Sequence, residues 1–321
     1  MKILVTGGAG YIGSFMVKRL IENGDEPIVL DSLEVGHREV VPQEVKLYEG
    51  NLLDKEFVKK IFSENKFDAV IHFAAYALAG ESMEKPEKYF ENNIQGGLNL
   101  LDAMKGKTSH FVFSSTCSIY GTPKKIPVSE DESKKPESVY GQSKLMFEKV
   151  LFWYDKIYNI KHINLRYFNA AGAALDGSMG ENHEAETHII PNAIIAILEN
   201  KPFTLFGKDY PTPDGTCIRD YIHVLDLAEA HLQALSYLKD KNTSDSFNLG
   251  AGKGYSNLGV LEMVKKVSEK DLQIAYKDRR FGDPPQIFAD NTKAKNILGF
   301  NPINSDLKTI IESAWKWHSK I

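Results

Sequence analysis

Over its first half the chain alternates short runs of β-branched and aliphatic residues with longer amphipathic stretches. Lys2 to Thr6, Pro27 to Leu30, Val45 to Tyr48, Ala69 to Phe73 and Phe111 to Ser114 are brief, apolar and bounded by polar or glycine positions, which predicts strands. Between them, Gly13 to Glu22, Lys55 to Glu64, Lys88 to Met104 and Tyr140 to Tyr158 repeat their apolar residues with a helical period, and Gly24 and the Pro86 and Pro136 regions supply breaks. Alternating strands and helices of these lengths predict an α/β fold, a Rossmann-type, doubly wound parallel sheet.

A sixth strand is expected over His162 to Phe168, after which the sequence turns into glycine-, aspartate- and asparagine-rich loops from Gly172 to His188. The main domain boundary is placed there. Further on, His223 to Leu238 reads as a helix and Ser246 to Leu249 as a strand able to rejoin the first sheet. The expected organisation is therefore a first domain of residues 1–171 with about 220–250, and a smaller, discontinuous C-terminal domain of about 172–219 with 251–321. No internal repeat or low-complexity segment interrupts this pattern.

At 321 residues the chain is long enough for such a pair of units, and a formal net charge of -4 offers no polyanion-binding surface, so nucleic acid is not expected as a partner. Apolar runs such as Ala69 to Ala75 are far shorter than the roughly 20 residues a membrane span requires. The first strand runs straight into a glycine turn, without room for a signal peptide, and a cytoplasmic location is expected. Cys117 and Cys217 are the only cysteines and have no CxxC or nearby histidine spacing, so neither a disulfide framework nor a metal site is expected.

Thr6-Gly7-Gly8-Ala9-Gly10-Tyr11-Ile12-Gly13 lies between the first strand and the first helix. Glycines at Gly7, Gly10 and Gly13 permit a tight turn and let the backbone approach a pyrophosphate, whose charge the amides at the helix start can hold. Asp31 follows about 20 residues on, at the end of the second strand, where a carboxylate accepts hydrogen bonds from an adenosine ribose and repels a 2′-phosphate. The expected cofactor is NAD. Taken alone, Asp31 is equally at home as a strand-end turn residue.

Three tyrosines are followed four positions later by a lysine: Tyr120/Lys124, Tyr140/Lys144 and Tyr237/Lys241. That spacing places both side chains on one helix face, where an ammonium and a nicotinium ring would favour a phenolate usable as a base. Tyr120 precedes a helix-breaking Gly-Thr-Pro and Tyr237 ends a late helix, which leaves Tyr140 and Lys144, at the start of a helix opening near Ser138. Ser114, Ser115 and Thr116 end the fifth strand on the carboxyl edge, where open α/β sheets bind ligands. Thr116 there either helps move a sugar proton to Tyr140 or caps the strand end.

Taken together, TGGAGYIG, Asp31, SSTCSIYG, Tyr140-x-x-x-Lys144 and Leu165-Arg-Tyr-Phe-Asn169 resemble the extended short-chain dehydrogenase/reductase superfamily. The tract from Phe206 to Ala228 and Arg279-Arg280-Phe281-Gly282-Asp283 look like the branch that epimerises UDP-hexoses at C4, and the similarity spans essentially the whole chain. The resemblance implies that Phe73, Ala74, Ala75, Asn93, Ser114 and Phe168 join Gly7, Gly10, Tyr11, Ile12, Gly13 and Asp31 around NAD, with Tyr140 and Lys144 on the nicotinamide ribose. Asn51 and Leu52 fall beside the adenine, Asn51 replacing a common aspartate, and Ala77 stands where some relatives carry lysine. For the substrate, the resemblance implies Thr116, Tyr140, Asn169, His188, Ile189, Phe206, Arg219, Tyr221, Arg280, Asp283 and Ile287.

The implied reaction is interconversion of UDP-glucose and UDP-galactose. Tyr140 takes the 4-hydroxyl proton, C4 is oxidised by NAD, and the keto sugar turns over before reduction from its other face. Ile287 replaces a bulky tyrosine of some relatives and His188 an asparagine of many, so UDP-GlcNAc and UDP-GalNAc are possible further substrates; Ile287 as ordinary packing is the alternative. Competing readings are a nucleotide-sugar dehydratase or reductase of the same superfamily, and a non-catalytic NAD-sensing scaffold. Cys117-Ser118 stands where a dehydratase is expected to carry an acidic pair. A homodimer is implied, through Lys88 to Met104 and Tyr140 to Tyr158, although Leu98, Leu101, Phe147 and Leu151 could equally face the sheet.

Overall fold

In the computed structural model, residues 1–184, 186–280 and 282–320 are described; Phe281 of the tract quoted above and the terminal Ile321 lie outside them. From the amino terminus run β1 (Lys2–Thr6), α1 (Tyr11–Glu22), β2 (Glu26–Asp31), β3 (Leu47–Glu49), α2 (Lys55–Glu64), β4 (Ala69–His72), α3 (Ala79–Ser82) and α4 (Pro86–Phe90). There follow α5 (Gly97–Met104), β5 (His110–Thr116), α6 (Val139–Tyr158), β6 (Lys161–Tyr167), β7 (Asn169–Ala171), α7 (Ile189–Leu198), β8 (Phe203–Phe206) and β9 (Ile218–His223). The chain closes with α8 (Val224–Lys241), β10 (Asp245–Leu249), β11 (Gly254–Ser256), α9 (Asn257–Ser268), β12 (Ile274–Lys277), β13 (Gln286–Ile287), α10 (Thr292–Leu298) and α11 (Leu307–His318).

Seven strands form one parallel sheet in the order β10-β6-β5-β4-β1-β2-β3. Its central strands are buried on both faces, as continuous runs such as Ile3-Leu4-Val5 and Ala69-Val70-Ile71 require. One face carries a core with α1 and α8, including Phe15, Leu20, Leu227 and Leu235; the other carries α2, α5 and α6, including Ile61, Leu101, Phe147 and Leu151. Strand order reverses between β1 and β4, and the loops after these strands open a crevice at the carboxyl edge. A separate core of Ile190, Ile194, Leu205, Val260, Leu261 and Ile310 supports a smaller sheet, β11-β9-β13 with β7 paired to β9, and the pair β12-β8.

Two features depart from the simple pattern. The helix expected over Lys88 to Met104 is broken into α4, a wider π turn at Glu91–Gly96, and α5. The cause lies in a tertiary bond: the Asn93 amide nitrogen donates to the Tyr76 carbonyl and to Ser143 Oγ, both at 3.1 Å, while its oxygen accepts from the Tyr76 N–H at 3.0 Å. Second, β9 belongs to the small sheet, whereas α10 and Phe300, late in the chain, pack on the first core.

Candidate active site

The glycine turn is shaped by contacts that no side chain could share. Gly7 has φ +73° and a Cβ there would lie 2.6 Å from the Ala74 nitrogen, while one at Gly13 would lie 2.0 Å from the Gly7 carbonyl oxygen. At Gly10 the nearest atom is 3.4 Å away, so the turn is tight inside and open outside, a surface that admits a phosphate to the α1 amino terminus. Asp31 is fixed beside it: its two oxygens accept from the Ala9 and Leu33 N–H groups, each at 2.9 Å. A carboxylate has lone pairs left after two such bonds, which suits ribose hydroxyls. Tyr11 turns away and donates its hydroxyl to the Gly172 carbonyl at 2.6 Å, tying α1 to the loop that leaves β7.

Phe73 and Ala74 both donate their backbone N–H to the Thr6 carbonyl, at 2.9 and 3.1 Å, which folds the segment after β4 over the glycine turn. The Phe73 ring packs 4.7 Å from the His231 ring. Ala75 continues this wall, half-buried, and Ala77 is exposed. Asn51 spends its side-chain oxygen on the Leu53 N–H at 2.9 Å. Leu52 is a core residue whose carbonyl accepts from Asn99 at 2.9 Å.

Ser138 caps α6 by accepting from the Gly141 N–H at 3.1 Å, and this sets the two catalytic candidates on the helix's inner face. Lys144 is 3 % exposed, donates to the Ser114 carbonyl at 2.8 Å and stands 4.9 Å from the Phe113 ring centre. Burial without an acid partner pulls its pKa down to about 7. Burial drives the Tyr140 phenol above the ordinary tyrosine range, opposed in part by the Thr116 hydroxyl. The expected phenolate rests on Lys144 together with a nicotinium ring, of which the protein alone supplies only the first. In the protein alone desolvation outweighs an ammonium 5.9 Å from the ring centre. Ser114 Oγ bonds the Tyr167 hydroxyl, and Thr116 Oγ1 accepts from the Ser118 N–H at 3.1 Å, which caps the strand end.

The opposite wall comes from the small sheet. In register, Asn169 pairs with Tyr221 and Ile287 with Arg219, and with side chains alternating along β9, these four share one face. Arg219 donates to the Pro284 carbonyl at 2.7 Å and to Asp283 at 3.3 Å, while the Arg280 guanidinium lies 4.1 Å over the Phe206 ring. Asp220 is fully buried and accepts from the Ala251, Gly252 and Ala289 N–H groups, at 2.9, 3.1 and 3.0 Å, bracing β9 from behind. Ile189 packs on the core of the small domain, leaving His188 as the side chain at that turn nearer the surface. Phe168, at 4 % exposure, belongs to a buried apolar cluster with Ile287, against which Cys117 packs.

Several residues of this arrangement have no mark in the sequence. Ser82, fully buried, accepts from the Tyr140 N–H at 3.1 Å, and Tyr167 reaches Ser114 across neighbouring strands. Their partners are 58 and 53 positions away, so only the folded chain brings them together.

Residues 3–250 match the model of the NAD dependent epimerase/dehydratase family. A UDP-glucose 4-epimerase of Lactobacillus helveticus is 49% identical over 320 residues, covering 99% of this chain and 97% of its own. A crystal structure of a Brucella ovis UDP-glucose 4-epimerase in complex with NAD superposes with a TM-score of 0.95 at 43% identity, over 98% of this chain and 97% of that one. The UDP-Glc/GlcNAc 4-epimerase of Campylobacter jejuni gives a TM-score of 0.87 at 41% identity, over 100% and 99% of the respective chains.

Proposed function

The chain belongs to the NAD dependent epimerase/dehydratase family, and on that premise we propose that it interconverts UDP-glucose and UDP-galactose by inverting the hexose at C4. The observation that supports the reading is the placing of Tyr140 and Lys144 on the inner face of α6, with Lys144 bonded to the Ser114 carbonyl at the carboxyl edge of the sheet that also ends in the open glycine turn. Residues 1–171 with about 220–250 are assigned to the cofactor, and about 172–219 with 251–321 to the sugar nucleotide.

Gly7, Gly10, Gly13 and Asp31 would hold the adenosine and pyrophosphate of NAD; Lys144 and Tyr140 would hold the second ribose. When bound, NAD supplies a nicotinamide that takes the C4 hydride and returns it, and whose positive charge favours the phenolate. Tyr140 takes the proton of the 4-hydroxyl, with Thr116 donating to and accepting from the same oxygen. Arg219 and Arg280 grip the diphosphate, because planar guanidinium donors match phosphate oxygens, while the released hexose ring turns over as a 4-keto sugar. Asn169, Tyr221 and Ile287 floor the space in which it turns. Tyr140 then gives the proton back. Proton and hydride are both recovered, so a full cycle leaves no net oxidation.

The purified protein with UDP-galactose and no added NAD should form UDP-glucose. Tyr140→Phe should fold, keep NAD and lose about 10³-fold in kcat. Near wild-type turnover in that variant would remove Tyr140 as the base. A stable 4-keto-6-deoxy product would instead mark a dehydratase.

Ile287, buried beside Arg219, leaves more room than a tyrosine, and UDP-GlcNAc and UDP-GalNAc are included in the proposed substrate range. We assign the protein to the cytoplasm, in keeping with the absence of any helix long and apolar enough to cross a membrane among the described residues. A homodimer through the outer face of α6 completes the proposal, since Met146, Trp153 and Ile157 form an exposed apolar stripe there.

A further inference from the structure

The loop from Gly172 to His188 gathers four side chains that the reaction above leaves unused as a set: Glu181, His183, Glu186 and His188. Each offers one donor atom, and all four atoms lie within 4.8 Å of one another. His183 Nδ1 is 3.4 Å from Glu181 Oε1 and 3.4 Å from Glu186 Oε2; His188 Nδ1 is 2.5 Å from Glu181 Oε1 and 3.7 Å from Glu186 Oε1. Donors bound at about 2.0–2.1 Å to a tetrahedral ion sit about 3.3–3.4 Å apart; the two His183 edges already have that length, the His188–Glu186 edge is 3.7 Å, and the His188–Glu181 contact at 2.5 Å would open to admit the ion.

Charge and support agree with the geometry. The Glu181 and Glu186 side chains are 5% and 7% exposed and face no lysine or arginine among the described residues. Two carboxylates with two neutral imidazoles balance one dication. The frame around them is firm. Trp317 Nε1 donates to the Glu181 carbonyl at 2.7 Å, and the Thr187 and His188 N–H groups donate to Glu186 Oε1 at 2.7 and 2.8 Å. The same loop touches the first domain twice, where Tyr11 bonds Gly172 and where His37 Nε2 lies 2.9 Å from the Asn182 carbonyl oxygen.

We propose that Glu181, His183, Glu186 and His188 form a structural binding site for a borderline divalent ion of the zinc class, which clamps the 172–188 loop across the seam between the two domains. Two imidazole and two carboxylate donors at tetrahedral spacing suit zinc or cobalt better than calcium or magnesium, which take six or more oxygens. Four protein ligands leave no open position, so the ion holds the loop and takes no part in the chemistry. The inference stands on these four side chains; His188 is also a position that the resemblance gives to the substrate, so the variants that test the ion are placed at His183 and Glu186.

The test uses the full chain, stripped with a chelator and then titrated with zinc chloride or cobalt chloride. Expected are one ion per chain by calorimetry, intense visible bands of tetrahedral cobalt, and a rise in Tm of about 5 °C at a hundredfold excess over Kd. His183→Ala and Glu186→Gln should each abolish all three signals while the metal-free variants keep wild-type epimerase turnover. Should one of them fail to fold, His183→Asn supplies the same loss of a ligand with less change in shape. Absence of stoichiometric binding, a weak octahedral cobalt spectrum, or binding that survives both substitutions overturns the proposal.

Discussion

At the scale of single residues, the site is governed by the cost of burying charge. Lys144 is enclosed without an acid partner, so its folded pKa, about 7, lies below the ordinary lysine value. Between that value and about 10.4 the unfolded chain binds the extra proton, and stability rises with pH across this window. Relative to a Lys144→Met variant, NAD-free protein should therefore gain stability from pH 7 to pH 9 in urea unfolding, because His188, raised to about 9 beside Glu181, pulls the other way equally in both. Lys144→Met should remove the gain and weaken NAD binding; an identical pH slope in the variant would contradict the burial argument. Ile287 gives a second prediction. Ile287→Tyr should cut kcat/KM for UDP-GlcNAc at least about tenfold more than for UDP-glucose, because the added ring fills space on the face shared with Asn169, Arg219 and Tyr221. Equal losses on both substrates would make Ile287 ordinary packing.

Among the elements, α6 joins two duties on one helix. Its inner face carries Tyr140, Lys144, Phe147 and Leu151, the last two fully buried under the sheet. Its outer face shows Met146, Trp153 and Ile157, with Trp153 60% exposed, at spacings of seven and four residues. Of the four residues first considered for a dimer contact, Leu101, Phe147 and Leu151 face the intramolecular core. Trp153→Glu should yield a monomer by sedimentation with NAD still bound, whereas an unchanged mass would exclude this face as the interface. The wider turn at Glu91–Gly96 shows the limit of periodicity. Apolar spacing predicted helix throughout, and Asn93, drawn to Tyr76 and Ser143, changed the winding.

For the whole molecule, acid sensitivity follows from imidazoles enclosed between layers. Burial lowers His223 and His231 to about 4 and His72 to about 3. Each is neutral when folded and takes a proton on unfolding below its ordinary value near 6.5, so stability is whole above that value and is lost as pH falls through about 4. The slope of unfolding free energy should be about 1.4 kcal/mol per pH unit for each of them between pH 6 and 4.5. A slope that His231→Gln leaves unchanged in urea titrations there would show that this histidine is not enclosed, the buried Asp220, raised to about 7, pulling the total the other way. Sequence by itself determined the alternation of strands and helices, the glycine turn with Asp31 and the Tyr140/Lys144 pair, because each rests on local spacing that a strand, a turn or one helical revolution reads directly. Tertiary structure alone decided that the returning β10 takes β6 as its neighbour, that Arg219 and Ile287 share a face with Asn169 and Tyr221, and that Glu181 meets His188. Strand order and loop closure depend on which distant surfaces exclude water together, and that information is carried by no single segment of the chain.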